Sequence, residues 1–367
     1  MENLVFSNML HRPARTVVSV LGIAVGVLLI VFTIGLSNGT LRERAKRDAN
    51  VGAEIFFRVG GTFGFSGSEA FSLPVSMKSE IEKSEGVQSA VPIGQNSVKA
   101  ADTNFGNRLI DGINFDEYAA MAGLSIIEGT KFNETANEAI IDTGFQKQKK
   151  IKIGDTMEIW EKPFKIVGTY EPAAGGRVKI PLTVMQKQLG SEGKASAFLV
   201  KIKKGYKPEQ VAEKLQNRFP NNQILLTSQL EELYMQGIPA LNVFLDVIIG
   251  VAAVISGLVI LLTMYTTVTE RTRQIGIMKS LGMSNPQIAW TITQEALLIS
   301  FFGIVGGILL TVILRFVLTR FTTLEVEISY VVMTITMIAG LIGGVLGALY
   351  PALKAARLDA VEALSYE

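Results

Sequence analysis

The sequence predicts an α-helical membrane protein with four transmembrane helices and an α+β extracytoplasmic domain inserted between the first and the second. Three observations lead there. Of the 367 residues 48% are hydrophobic, and they are gathered into one long run near the start and three near the end. The stretch between the first two runs is as polar as a soluble domain. Each run exceeds the roughly 20 apolar residues that cross a bilayer core.

Taken in order, residues 1–15 combine Leu4, Val5, Phe6, Met9 and Leu10 with His11, Arg12 and Arg15, and Pro13 closes them. This reads as a cytoplasmic interfacial helix. The first span, 16–40, carries no charge. It is longer than the roughly 7–15-residue core of a signal peptide and has no small-residue cleavage site, so a retained span is expected. Beyond it stand Arg42, Arg44, Lys46 and Arg47, against the positive-inside rule. Long translocated domains are weakly governed by nearby charge, and the other loops agree with an inside N-terminus. Glu43 and Arg47, four residues apart, predict that the first helix continues outward from Leu36 through Arg47 as a stalk. The run GGTFGFSG, Gly60 to Gly67, lacks the lysine and hydroxyl of a phosphate loop and reads as a mobile connection.

The domain 41–239 reads as α+β with stalks. A short helix, Met77 to Ser84, precedes the strand GVQSAVPI; the strand Ala197 to Lys203 precedes a helix, Pro208 to Phe219, and a strand, Gln223 to Thr227. Two such units packing into one small sheet is the economical arrangement. Between them lie strand signals at Glu138 to Asp142, up to Trp160, and on to Tyr170. Ser228 with Glu231 predicts a capping box for a helix to Gln236, with Gly237 and Pro239 as a pivot below this second stalk. The second span is 240–269, the third 288–314 and the fourth 328–353. An outer loop, 315–327, carries Arg315 and Arg320, and a basic tail, 354–367, returns to the cytoplasm.

The segment 270–287 is the most informative. Arg271, Arg273 and Lys279 supply cations, and Ile275, Ile277, Met278, Leu281 and Met283 supply an apolar face. A short basic loop between spans belongs in the cytoplasm, where it can orient the protein or touch a soluble partner. Gly282 reads as the residue that stops one helix, and Ser284 or Asn285 with Pro286 as the start of the next. The segment resembles the cytoplasmic loop of MacB/FtsX-type ABC transporter permeases, whose pattern is close to ER-x-x-EIG-I-x-x-ALGAS-x-x-QI. Glu270, Arg271, Ile275, Gly276, Leu281, Gly282, Gln287 and Ile288 match it, while Gln274 and Ser280 replace the usual glutamate and alanine. Met9 to Val27 is similar to the family's first helix, and the middle segment to its extracytoplasmic domain. Tyr350 to Leu364 resembles its closing YPA-x-x-AA-x-LDPVEAL, with Ala360 in place of the proline.

The resemblance implies a permease subunit in the bacterial plasma (inner) membrane, with both termini cytoplasmic. It implies a homodimer or heterodimer with a second permease copy, bound to a cytoplasmic ABC ATPase subunit and in some systems to a periplasmic adaptor. Glu270, Arg271, Ile275, Gly276, Ile277, Met278, Leu281 and Gly282 would contact the ATPase. Family members export or extract peptides, antibiotics, lipids or lipoproteins by transmitting motion across the bilayer. A rival within the family is a signal transmitter that activates an outer partner such as a cell-wall hydrolase.

The residues narrow the chemistry. No G-x-x-x-x-GK-[ST] sequence is present, so ATP and magnesium are expected on the partner and no cofactor, metal or catalytic residue on this chain. Zero cysteines exclude disulfides and thiolate metal sites, and one histidine excludes a histidine cluster. A net charge of +2, dispersed, argues against nucleic acid. A secondary transporter would show interrupted helices and an internal repeat, which the chain lacks. Glu295 and Asp246, each near the end of a span, are read as structural partners or proton-relay groups. Gly22 with Gly26, Gly303 with Gly307, Gly340 with Gly344 and Gly343 with Gly347 read as helix-packing seams, within or between protomers.

Overall fold

The computed structural model describes residues 13–59, 71–99, 107–236, 239–322 and 324–358. The expectations for 1–12, for Gly60 to Gly67, for Gly237 and for the tail from 359 lie outside the described residues. Two compact units form, one from Thr40–Ile238 and the other from Met1–Gly39 with Pro239–Glu367. Helix α1 (Pro13–Ala49) is 37 residues long and runs without interruption through Leu36 and Arg47.

The unit Thr40–Ile238 follows in chain order with β1 (Ile55–Val59), β2 (Leu73–Pro74), α2 (Met77–Glu82), β3 (Val87–Lys99) and β4 (Asn107–Ile113). Next come α3 (Phe115–Ala122), β5 (Ser125–Gly129), β6 (Glu138–Asp142), α4 (Thr143–Lys149), β7 (Thr156–Ile159) and β8 (Lys162–Glu171). The unit closes with β9 (Val178–Pro181), α5 (Leu182–Gln188), β10 (Lys194–Ala195), β11 (Ala197–Ile202), α6 (Pro208–Arg218), β12 (Asn222–Leu226) and α7 (Leu230–Gln236). The two helix-and-strand units expected from sequence share one antiparallel sheet, β12-β1-β11-β3. Strand β1, IFFRV, has no counterpart in the sequence reading. It sits centrally in that sheet because Ile55 and Phe57 on one face join Phe198, Val200, Val211, Leu215 and Ile81 in a buried core.

Strand β3 changes partner along its length: up to Ile93 it pairs with β11, and from Gly94 onward with β4. Gly94 faces Phe71 and Met185, leaving no room for a side chain at the switch. The second half of β3 thereby seeds the inserted sheet, β4-β9-β6-β8-β5 with β7 on β8, in which β4/β9 and β6/β8 are parallel. Two of its helices, α3 and α4, start on side-chain caps. Asn114 Oδ1 accepts from Glu117 N at 3.1 Å and Asp142 Oδ1 from Phe145 N at 2.8 Å.

One cap differs from expectation. Thr227–Gln229 is a 3-10 turn without a side-chain cap, leading directly into α7, so the box of Ser228 and Glu231 does not form. Glu231 instead meets Arg42 Nε of α1 at 3.0 Å. The Glu231 carboxylate is thus drawn by opposite charge toward α1.

The other unit holds α8 (Pro239–Glu270), α9 (Thr272–Ser280), α10 (Asn285–Phe321) and α11 (Tyr330–Ala356) with the first part of α1. Among the described residues four helices, α1, α8, α10 and α11, are long and apolar enough to cross a membrane. Helix α10 continues past Leu314, so Arg315 and Arg320 lie on a helix and not in a loop. RFVLTR contains no breaker, and the Arg320 guanidinium stacks 4.8 Å from the Phe316 ring one turn back. The non-helical connection that remains packs on α1: Glu327 N donates to Gly35 O at 2.8 Å.

Candidate coupling site

Helix α9 is separated from α8 by Arg271 alone and from α10 by four residues, Leu281 to Ser284. Its C-terminal stop is Gly282, in the left-handed region at φ +91°, a conformation a side chain would strain. Ser284 then opens α10 with a capping box to Gln287, and Pro286 lies in the first turn. The loop is therefore a built turn-helix-turn.

Its apolar residues do not form one face. Ile275 and Gly276 are buried, Met278 and Met283 are half-buried, and they pack into a core with Ile288 and Ile292 of α10 and Ala352 and Ala355 of α11. Ile277 and Leu281 point outward, the latter 81% exposed. They stand four residues apart, on one helical stripe, beside Arg273 and Gln274. The inward stripe anchors the helix and the outward stripe is available. Between α8, α9 and α10 lies a groove of about 540 Å³, lined chiefly by Ile275, Met278, Leu281, Met283, Ile292 and Glu295.

Two ion contacts that sequence reasoning missed fix this helix. Arg271 Nη1 lies 3.1 Å from Glu295 Oε2, with the two side chains 13% and 8% exposed. Of the two roles read for Glu295, the geometry supplies the structural partner. Lys279 Nζ donates to Ala356 O at 3.0 Å and Leu358 O at 2.6 Å, at the end of α11. Neither partner has a local sequence signal, because they lie 24 and about 80 residues downstream. Glu270 ends α8, and Asp246 is exposed on the same helix.

The glycines lie against neighbouring helices of the same chain. A methyl group on Gly22 would meet Val259, and one on Gly26 would collide with Ser256 Oγ. Gly303 lies against Ile23 and Gly307 against the Ala24 carbonyl and Val27; Gly340 faces Ile304 and Gly344 faces Ser300. Gly347 lies on the Gly257 carbonyl, whereas Gly343 has open space. Pro239 begins α8.

A second cluster, absent from the sequence reading, lies in the unit Thr40–Ile238. Arg47 Nε donates to Gly175 O at 2.7 Å, and Gly175 N donates back to Arg47 O at 2.8 Å. Arg47 also pairs with Asp142 at 3.2 Å, and Glu43 with Arg177 at 2.7 Å. Beneath them Lys179, fully buried, lies 2.9 Å from Asp111. Three cations of the basic run after Thr40, which offends the positive-inside rule as a sequence, meet internal carboxylates: Arg42 pairs with Glu231, Arg44 with Asp48 and Arg47 with Asp142.

Residues 16–218 match the MacB-like periplasmic core domain, and residues 247–360 match the FtsX-like permease C-terminal domain. The chain belongs to the MacB/FtsX-like ABC transporter permeases. This permease is 25% identical over 385 residues to the macrolide export ATP-binding/permease protein MacB of Acinetobacter baylyi, covering 97% of this chain and 58% of that protein. With MacB of Bdellovibrio bacteriovorus it shares 23% over 397 residues, covering 99% and 61%. It spans about three fifths of the length of these relatives. Among solved structures, the periplasmic region of MacB from Actinobacillus actinomycetemcomitans aligns at 16% identity and TM-score 0.38, covering 50% of this chain and 95% of that one. The family and the four apolar helices make this permease a multi-pass membrane protein.

Proposed function

We propose that the chain is the membrane subunit through which a separate cytoplasmic ABC ATPase, carrying ATP and magnesium, drives a conformational change in Thr40–Ile238 on the other side of the membrane. The work done there is export or extraction of a peptide, antibiotic, lipid or lipoprotein; that the relatives are named macrolide exporters supports the export class. In this reading both termini and α9 are cytoplasmic, and a second permease copy completes the assembly. The observation that carries it is the outward stripe of Ile277 and Leu281 on a helix whose opposite stripe is buried. An exposed two-residue apolar anchor flanked by a cation is the form an amphipathic helix takes when it enters a partner's groove.

The test is assembly. Ile277→Asp or Leu281→Asp places a charge where the partner's groove closes, at a cost on the order of several kcal/mol. Each variant is expected to fold, reach the membrane and lose the ABC ATPase that copurifies with the parent. Wild-type recovery of the ATPase with both variants would rule out α9 as its docking element.

A further inference from the structure

The chain joins α9 covalently to α8 and α10 but not to α11. Lys279 supplies the missing connection. Its ammonium reaches two carbonyls at the α11 terminus, Ala356 O and Leu358 O. The last carbonyls of a helix have no intrahelical partner and carry the negative end of its dipole, so a cation there is held by charge and by directed hydrogen bonds together. At the other end of α9 the Arg271–Glu295 pair ties the helix to α10. Helix α9 is thus pinned at the residue before its first turn and in its last turn, with Ile275 and Gly276 buried between the pins. Apolar burial alone is non-directional and tolerates sliding; two hydrogen bonds to one ammonium do not.

We propose that Lys279 is a positioning residue that makes the end of α11 part of the coupling element, so that a displacement of α9 is carried into the fourth membrane helix as well as into its chain neighbours. The inference rests on reading α9 as the docking helix. It differs from ordinary helix capping, which would stabilise the end of α11 without fixing where α9 stands relative to it. The Arg271–Glu295 pair does the equivalent work toward α10.

The cysteine-free sequence allows paired spin labels in the full chain, in lipid nanodiscs. Arg273→Cys with Leu353→Cys reports α9 against α11, and Arg273→Cys with Trp290→Cys reports α9 against α10; all three positions are exposed. Lys279→Met is expected to broaden the first distance distribution at least twofold and leave the second unchanged, with Lys279→Arg restoring the narrow distribution. Lys279→Gln, which keeps a donor and loses the charge, is the second variant should the methionine fail to fold, and is expected to behave like it. An unchanged 273–353 distribution in the neutral variant, or equal broadening of both distances, would overturn the proposal. No ATPase is needed, so the outcome judges the link alone, while the Ile277 and Leu281 variants judge the docking reading.

Discussion

Lys179 has no exposed side-chain surface, and its ammonium is held by Asp111 at 2.9 Å and the Tyr118 hydroxyl at 3.2 Å. Burial would raise the Asp111 carboxyl, but Lys179 and the Gly176 amide outweigh it and hold the group below the usual carboxylate range. Burial pushes Lys179 down, with Asp111 opposing. Lys179→Met strands a buried carboxylate and should cost about 3–5 kcal/mol, whereas adding Asp111→Asn should recover much of the loss. Unfolding followed through Trp160 fluorescence in a Trp290→Phe background measures both. The sign of the pH dependence follows from the lowered Asp111 value: its contribution is full above the unfolded pKa, near 4, and is lost as pH falls through the folded one. The acid limb of the unfolding curve should flatten in Asp111→Asn. Burial raises Tyr118 well above its ordinary value, so alkaline solution past about pH 10 should destabilise the same cluster. None of this was legible in the sequence, since Arg47, Asp111, Asp142 and Lys179 come from four elements and meet only once the sheet is built.

Among the elements, the membrane helices were readable because each is a long apolar run with at most one charged residue, and the loop because its stop and start residues are local: Gly282, Ser284, Pro286. The end of α10 differs from the expected outer loop, 315–327: Arg315 and Arg320 are good helix formers and the helix runs on to Phe321. The sheet was half readable. Strands with a strong local pattern, such as Glu138–Asp142, were placed, whereas β1 depends on β11 and β12, more than 130 residues away. The glycine seams give a test at this scale. Gly26→Val and Gly307→Val force apart helices already in contact with Ser256 and the Ala24 carbonyl, and overpacking costs about 1–3 kcal/mol. At Gly343 an added Cβ meets nothing within 4 Å, so Gly343→Val has room on this chain. Thermal unfolding in detergent should therefore fall for the first two and hold for the third. Equal loss at all three would mean that Gly343 faces a partner.

For the whole molecule, the proposed function asks a helix to carry displacement. Helix α1 is unbroken over its 37 residues, and its final turns are gripped by the turn around Gly175 through Glu43, Arg47 and Asn50, the last donating to Ala173 O at 3.1 Å. A continuous helix with a polar grip can transmit force, whereas a Gly-Ser coil transmits little at short extension. The most direct measurement inserts short Gly-Ser segments after Thr40 and after Gly237 in the same chain, reconstituted with its ATPase in membranes. Folding, ATPase binding and ATP hydrolysis should persist while export or extraction stops. Full transport with both insertions in place would contradict mechanical transmission and put the work inside the bilayer.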